Sequence, residues 1–301
     1  MADARIPFLK MNGLGNDFVV FDARQASVAL NPAQIAAIGS RDSGIGFDQM
    51  ITVERSSAGA YAFMRIHNRD GSQVDACGNA TRCIGRLLLG EAGLAAVTIE
   101  TNAGLLHAFA RESESNVAVD MGVPRFDWQS IPLAEEFADT TQIELQIGPI
   151  DAPVLHSPSV VNVGNPHAIF WVEDIDAYEL DKLGPLLENH PIFPQKANIS
   201  LAQVDSPREI RLRVWERGVG ITLACGTAAC ATAVAAARKG LCERDVDVHL
   251  PGGAIGIEWR ASDDHIIMSG ETEIEFEGLL DLETLKYERT AAGDAVAEPV
   301  S

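Results

Sequence analysis

The sequence predicts an α+β protein with two pseudo-symmetric halves, each a curled mixed sheet around a central helix. The chain repeats short segments at a spacing close to half its length, and each repeat contains a strand, a glycine-bearing loop and an apolar helix in the same order. Its 301 residues, 47% hydrophobic and 22% charged, are enough for two domains with their own cores.

The repeat has an offset of 148 or 149 residues. Agreement of this offset over several separated segments indicates a duplicated unit. We expect residues 1–121 with 271–288 to form the first half, residues 122–270 the second, and residues 289–301 a disordered tail. The matching segments are Gly15-Asn16 with Gly164-Asn165, Asn68-Arg69 with Glu216-Arg217, and Ala76-Cys-Gly-Asn-Ala80 with Ala224-Cys-Gly-Thr-Ala228.

Each half has the same order of elements around the repeated segments. Alternating apolar residues predict strands at Tyr61–Ile66 and Ile210–Trp215, each followed by a polar loop. Helices are predicted to begin after Cys77 and Cys225 and to run to about Gly90 and Lys239. These helices carry few charges, so they need cover on every side. Further strands are predicted within Thr98–Ala110 and Val248–Trp259.

The charge of the chain excludes some classes of partner. With 23 Lys and Arg against 43 Asp and Glu, the net charge is −20, which would repel nucleic acid and anionic membranes. The N-terminal residues lack the pattern of a secretory signal, and the longest apolar run, Ile221–Ala237, is interrupted and shorter than the ~20 residues of a membrane span. We therefore expect a cytoplasmic protein that binds neither nucleic acid nor membrane.

The five cysteines are expected to be reduced thiols, because an odd number without a signal peptide argues against a disulfide framework. Their spacing matches no zinc motif. Cys83, Cys230 and Cys242 are expected to be small apolar residues. Cys77 and Cys225 differ from them, because each begins a predicted helix, precedes a glycine and occupies the equivalent place in its half.

This placement predicts acid–base chemistry at the two sulfurs. A helix N-terminus stabilises an anion, but two close thiols cannot both ionise, so the pair should hold roughly one proton. A carbon between a thiolate and a thiol can lose a proton on one face and gain one on the other, which is racemisation or epimerisation. Backbone N–H groups at Gly78/Asn79 and Gly226/Thr227 would stabilise charge that develops on a substrate carboxylate. No motif for pyridoxal phosphate, a nucleotide or a metal is present, so we expect no cofactor.

The chain resembles the diaminopimelate epimerase family over about Phe8–Leu282. Eight motifs stand in the order of that family. They are Lys10-Met-Asn-Gly-Leu-Gly-Asn-Asp-Phe18, Gly44-Ile-Gly-Phe-Asp-Gln49, Asn68-Arg-Asp-Gly-Ser72, Ala76-Cys-Gly-Asn79, Gly164-Asn-Pro-His167, Glu216-Arg217, Ala224-Cys-Gly-Thr227 and Leu250-Pro-Gly-Gly253.

The resemblance implies a homodimer that interconverts LL- and meso-diaminopimelate for lysine and peptidoglycan synthesis. Cys77 would take the proton from the LL substrate and Cys225 would return one, with His167 and Glu216 tuning the sulfurs. Glu216 and Arg217 would bind the distal amino and carboxylate groups, and Gly78, Asn79, Gly226 and Thr227 the carboxylate at the reacting carbon. The remaining substrate-binding residues implied by the resemblance are Asn16, Gln49, Asn68, Asn165 and Asn198.

Two alternatives remain open on the sequence. A proline or hydroxyproline racemase or epimerase would keep the fold and both thiols, although Glu216 and Arg217 favour a substrate with a second charged end. A thiol redox switch would instead use a disulfide between Cys77 and Cys225 as its main purpose.

Overall fold

The computed structural model describes residues 5–290, which divide into two compact units: residues 5–119 with 271–290, and residues 120–270. The first part of the chain forms β1 (Arg5–Gly13), β2 (Asn16–Asp22), α1 (Pro32–Gly39), β3 (Gln49–Glu54), β4 (Ala62–Asn68), β5 (Gln73–Val74), α2 (Gly78–Ala92), β6 (Ala96–Thr101), β7 (Gly104–Ala110) and β8 (Asn116–Asp120). It continues with β9 (Gln146–Ile147), β10 (Leu155–His156), β11 (Ser159–Asn162), β12 (Pro166–Trp171), a 3₁₀ turn (Ile175–Ala177), α3 (Leu180–Glu188), β13 (Asn198–Ser206), β14 (Glu209–Glu216), β15 (Gly220–Thr222), α4 (Gly226–Arg238), β16 (Asp245–Leu250), β17 (Gly253–Trp259), β18 (Ile266–Glu271), β19 (Glu273–Asp281) and β20 (Tyr287–Thr290).

The first unit contains a mixed sheet in the order β20-β19-β1-β2-β3-β4-β6-β7. The pairs β2–β3 and β4–β6 are parallel, and β5 forms a hairpin with β4. Parallel neighbours need a crossover connection, and here α1 joins the first pair and α2 the second. Helix α2 packs against β1, β6 and β7.

The second unit repeats this topology. Its sheet runs β11-β12-β13-β14-β16-β17-β18, with parallel pairs β12–β13 and β14–β16 and a β14–β15 hairpin. Helices α3 and α4 make the two crossovers. Helix α4 packs against six strands of the sheet, and ten of its thirteen residues are buried. Small residues, mostly alanine, allow this close cover on every side.

The predicted mixed α+β fold is confirmed. The helices predicted after Cys77 and Cys225 are α2 and α4, and α2 runs two residues beyond Gly90 because Gly93 ends it in the left-handed conformation (φ 62°). Thr98–Ala110 holds the hairpin of β6 and β7.

The expected disordered tail, residues 289–301, lies outside the described residues except for Arg289 and Thr290. These two residues form the end of β20 and pair with β19, and the Arg289 guanidinium also lies 3.8 Å from the Phe276 ring centroid. Within residues 5–290, the helices are all too short or too polar to cross a bilayer.

The turn between β4 and β5 has no room for a side chain at Gly71. Gly71 has φ +84°, and a Cβ there would lie 2.5 Å from Cα of Pro32, the first residue of α1. Gly59 has a similar φ of +78° but open space around it. We expect Gly71→Ala to lower the free energy of unfolding by roughly 1–3 kcal/mol more than Gly59→Ala, because only the first change adds a clash to the backbone cost. Urea unfolding of both variants measures the difference, and equal losses would contradict it.

Candidate active site

The predicted site residues fall into one set in each unit, and the two sets occupy equivalent positions in the repeated topology. Asn16 begins β2 and Asn165 directly precedes β12; Gln49 begins β3 and Asn198 begins β13; Asn68 ends β4 and Glu216 ends β14. The cysteines precede α2 and α4. The match of Gln49 with Asn198 has the repeat offset of 149, a signal that the sequence comparison of the halves missed.

In the first unit, Cys77 directly precedes α2. Its backbone is extended (φ −148°, ψ 117°) and its carbonyl accepts hydrogen bonds from the N–H and hydroxyl groups of Thr81, at 2.9 and 2.8 Å. The side chain makes no capping bond to the helix. The thiol is instead oriented toward Asn16, with Sγ 3.9 Å from Oδ1.

The Asn16 side chain is held by a charged network. Its Nδ2 donates to Asp48 at 3.0 Å, and Arg41 donates to both Asp48 (2.7 Å) and Asp17 (2.9 Å). Buried Lys10 also donates to Asp17. Burial opposes ionisation of Asp17, but the hydrogen bonds and charges of Arg41 and Lys10 prevail and lower its pKa to about 2. The network therefore stays charged and fixes the Asn16 amide beside Cys77.

Sequence reasoning missed this network, although Asp48 stands in a motif that it used. The motif itself predicts a role only for Gln49, because it does not reveal that Asp48, just before β3, contacts Asn16 at the start of the neighbouring strand β2. Arg41 and Asp17 lie 24 residues apart in sequence, so their pairing depends on the crossover through α1.

Two further site amides of the first unit, those of Gln49 and Asn79, present oxygens that lack protein partners among residues 5–290. Gln49 lies opposite Asn68 in the β3–β4 ladder and donates to its Oδ1 at 3.2 Å, which leaves Gln49 Oε1 buried and unpaired. Asn79, in the first turn of α2, is 5% exposed and its Oδ1 is also buried without a partner. Buried carbonyl oxygens of this kind are suited to accept hydrogen bonds from an ammonium group.

In the second unit, Cys225 directly precedes α4 and is 6% exposed. Its Sγ lies 3.5 Å from the hydroxyl of Thr227, and its carbonyl accepts from the N–H of Ala229 at 3.1 Å. Burial, reinforced by the nearby charge of Glu216, raises the pKa of the Cys225 thiol. Two sulfurs are expected to share a proton, and the surroundings of Cys225 keep this one as S–H. Desolvation disfavours its thiolate more than the N-terminus of α4 stabilises it.

Glu216 is placed beside Cys225 by the β14–β15 hairpin. Thr222, on the returning strand, donates to its carboxylate at 2.5 Å. Burial raises the pKa of Glu216, while the hydrogen bonds from Thr222 and from the Cys225 thiol oppose that rise. The Cys225 S–H therefore has a built-in acceptor.

His167 is fully buried on β12, and burial together with the charge of Arg217 lowers its pKa to about 3. The ring is consequently neutral. Its Nε2 lies 2.7 Å from Asn165 Oδ1, which assigns the proton to Nε2. The Nδ1 lone pair is buried without a partner among the described residues. The His167 ring thus orients the Asn165 amide, and its Nε2 also lies 3.4 Å from Nδ2 of Asn198.

Asn198 is 3% exposed and bridges two backbone segments. Its Nδ2 donates to the carbonyl of Pro166 at 3.1 Å, and its Oδ1 accepts from the N–H of Arg217 at 2.9 Å. The Arg217 side chain is exposed and donates to the carbonyl of Gln195 at 3.0 Å. Asn198 accordingly sets the backbone position from which Arg217 projects.

Solved structures with this fold define the class of protein. A phenazine biosynthesis protein of the PhzF family from Bacillus anthracis is 18% identical, with a TM-score of 0.64 over 92% of this chain and 99% of that chain. A hydroxyproline epimerase from Agrobacterium vitis, with bound trans-4-hydroxy-L-proline, is 14% identical, with a TM-score of 0.62 over 93% of this chain and 94% of that chain. At these identities the likeness shows the fold, and the chain belongs to this class of sheet-rich α+β proteins.

Sequence comparison then identifies the family. The model of the family described as diaminopimelate epimerase matches residues 8–126 and 159–275. A diaminopimelate epimerase from Afipia carboxidovorans is 57% identical over 275 residues, which cover 91% of this chain and 94% of the relative. Another from a Bradyrhizobium species is 55% identical over 90% of this chain and 93% of the relative. The chain belongs to the diaminopimelate epimerase family, and the prediction from the motifs is confirmed.

The depressed pKa of His167 predicts a pH dependence of stability. Between about pH 6.5 and about pH 3 the unfolded chain binds a proton at this residue and the folded chain does not. The free energy of unfolding should therefore fall as the pH is lowered through this range, by up to about 1.4 kcal/mol per pH unit from this group alone. His167→Gln should flatten the dependence, measured by urea unfolding from pH 7 to pH 4, whereas His156→Gln, at an exposed position, should not.

A slope unchanged by His167→Gln would contradict the prediction. If this variant does not fold, NMR titration of the His167 ring in the unaltered protein replaces it. The ring should stay neutral at pH 5, and a protonated ring at that pH would be the contrary result.

Proposed function

We propose that this protein interconverts LL- and meso-2,6-diaminopimelate without a cofactor, with one catalytic thiol from each unit. The observation that carries the mechanism is the equivalent placement of Cys77 and Cys225, each at the start of a buried helix and neither used as a helix cap. Membership of the family supports the substrate.

In the LL-to-meso direction, the Cys77 thiolate takes the α-proton and becomes a thiol. The electron pair of the broken C–H bond moves into the adjacent carboxylate. Backbone N–H groups at Gly78/Asn79 and Gly226/Thr227 would stabilise the negative charge that builds on its oxygens. The Cys225 thiol then donates its proton to the opposite face of the carbon and becomes a thiolate. The raised pKa of Cys225 supports its assignment as the acid.

The polar residues of each unit would bind the rest of the substrate. Glu216 would pair with the distal ammonium group and Arg217 with the distal carboxylate, a charge-assisted arrangement that fits a zwitterionic end. We assign the remaining contacts to Asn16, Gln49, Asn68, Asn165 and Asn198, with Asn198 acting through the backbone of Arg217. His167 would act by orienting Asn165.

We also propose that the two units are the duplicated halves expected from the sequence repeat. A homodimeric state and a cytoplasmic location, with a role in lysine and peptidoglycan synthesis, are proposed on the family resemblance.

Isotope exchange tests the proposed substrate. Reduced protein in deuterium oxide should introduce deuterium at the α-carbon of diaminopimelate, because the donating thiol exchanges with solvent. Proline and trans-4-hydroxyproline, which lack the distal charges, should show no exchange. NMR or mass spectrometry of the amino acids gives the result. Exchange on proline with none on diaminopimelate would favour the alternative racemase.

Replacement of each thiol tests the two-base scheme. Cys77→Ala and Cys225→Ala should each lower the epimerisation rate by about 10²–10⁴-fold under full reduction, because a proton must be removed on one face and supplied on the other. Cys242→Ala, which removes a half-buried thiol beyond α4, is the matched control and should retain activity. Near-normal turnover by either of the first two variants would rule out the scheme.

A further inference from the structure

A buried carboxylate outside the predicted site holds both ends of the segment that carries Glu216 and Arg217. Glu188, the last residue of α3, is 4% exposed. Its Oε2 accepts a hydrogen bond from the indole N–H of Trp215 at 2.7 Å, and its Oε1 accepts from the backbone N–H of Gly218 at 3.0 Å. One side chain thus binds the residue before Glu216 and the residue after Arg217.

The surroundings of Glu188 keep it charged despite its burial. Lys196 approaches Oε1 at 3.4 Å, so the carboxylate has three donors in all. Burial would raise the pKa of Glu188, but the hydrogen bonds from Trp215, Gly218 and Lys196 together lower it. A buried carboxylate satisfied in this way is costly to disturb, because any lost donor leaves charge without compensation.

Helix α3 also lies directly against the Trp215 ring. Gly184 is one turn before Glu188, and a Cβ at Gly184 would lie 2.5 Å from the indole. The ring therefore lies against the helix at Gly184 while its N–H is bound by the Glu188 carboxylate. The backbone N–H of Arg217 is anchored separately by Asn198 Oδ1 at 2.9 Å. Residues 215, 217 and 218 are thus each held by a buried side chain of Glu188 or Asn198.

We propose that Glu188 is a positioning residue for recognition of the distal end of the substrate. It holds the turn from Trp215 to Gly218, so that Glu216 meets Thr222 and Cys225 while Arg217 projects its guanidinium outward. The inference rests on the proposed function, since it assigns Glu188 a role in binding the distal amino and carboxylate groups.

Glu188→Gln is the sharpest test, because it keeps the size of the side chain but replaces one acceptor oxygen with a donor NH₂. One of the two hydrogen bonds to Trp215 and Gly218 must then be lost. We expect the KM for diaminopimelate to rise about tenfold or more and kcat to fall by a smaller factor, since a small displacement of a binding group has effects of this size. Glu179→Gln, at an exposed position at the start of the same helix, is the matched control and should leave both constants unchanged.

A spectroscopic measurement separates this role from mere stabilisation and from the identity of the substrate. The indole N–H resonance of Trp215, identified by its absence in Trp215→Phe, should shift upfield in Glu188→Gln if the bond to the carboxylate is lost. Trp215→Phe should also raise the KM for diaminopimelate. This variant serves as the test if Glu188→Gln does not fold.

A folded Glu188→Gln variant with unchanged KM overturns the inference, as does a loss of thermal stability with no change in KM. If Glu188→Gln does not fold, an unchanged KM in Trp215→Phe also overturns the inference. If the unaltered protein does not turn over diaminopimelate, the proposed function has failed. The indole shift then still reports whether Glu188 holds the turn.

Discussion

The start of a buried helix is the constraint on which both units of this protein depend. The first N–H groups of a helix have no partner within it, and most helices satisfy them with an oxygen from a capping side chain. Helix α1 does so, since Asn31 and Gln34 form a reciprocal capping box. Helices α2 and α4 begin instead at Cys77 and Cys225, whose side chains make no such bond. Because neither cysteine caps its helix, a thiol and the backbone N–H groups of the first turn lie together at the start of each helix.

The sheet topology supplies the polar side chains around each helix start. In both units, a helix connects two strands that lie parallel and adjacent in the sheet. Residues distant in sequence therefore become neighbours at the strand ends. Asn198 pairs in register with His167, as Gln49 pairs with Phe18. Amides at these ends can contact one another and the adjacent turn. The same topology used twice yields two similar sets of polar groups with different charges, because Asn68 in one unit corresponds to Glu216 in the other.

Electrostatics then distinguish the groups that stay charged from those that do not. Asp17 and Glu188 are buried but have several donors each, so hydrogen bonds lower their pKa values. At Cys225, burial outweighs the hydrogen bonds from Thr227 and Ala228, and at His167 burial also prevails, so desolvation keeps both groups neutral. The result is a fixed charge at Asp17 in the first unit, and in the second unit a fixed charge at Glu188 together with the neutral groups Cys225 and His167.

The sequence by itself determined the mixed α+β class, the two helices and the family, because these depend on local patterns and on motif order, and the repeated segments predict a duplication. It also singled out residues 77 and 225, since a Cys-Gly pair at a helix start is a local feature. Only the tertiary structure decided which side chains contact one another around the predicted residues. The contacts of Asp48 with Asn16 and of Glu188 with Trp215 and Gly218 join strands and helices through crossovers. The raised pKa of Cys225 depends on burial by the surrounding sheet, and burial of a given side chain is a property of the packed fold that no short segment contains.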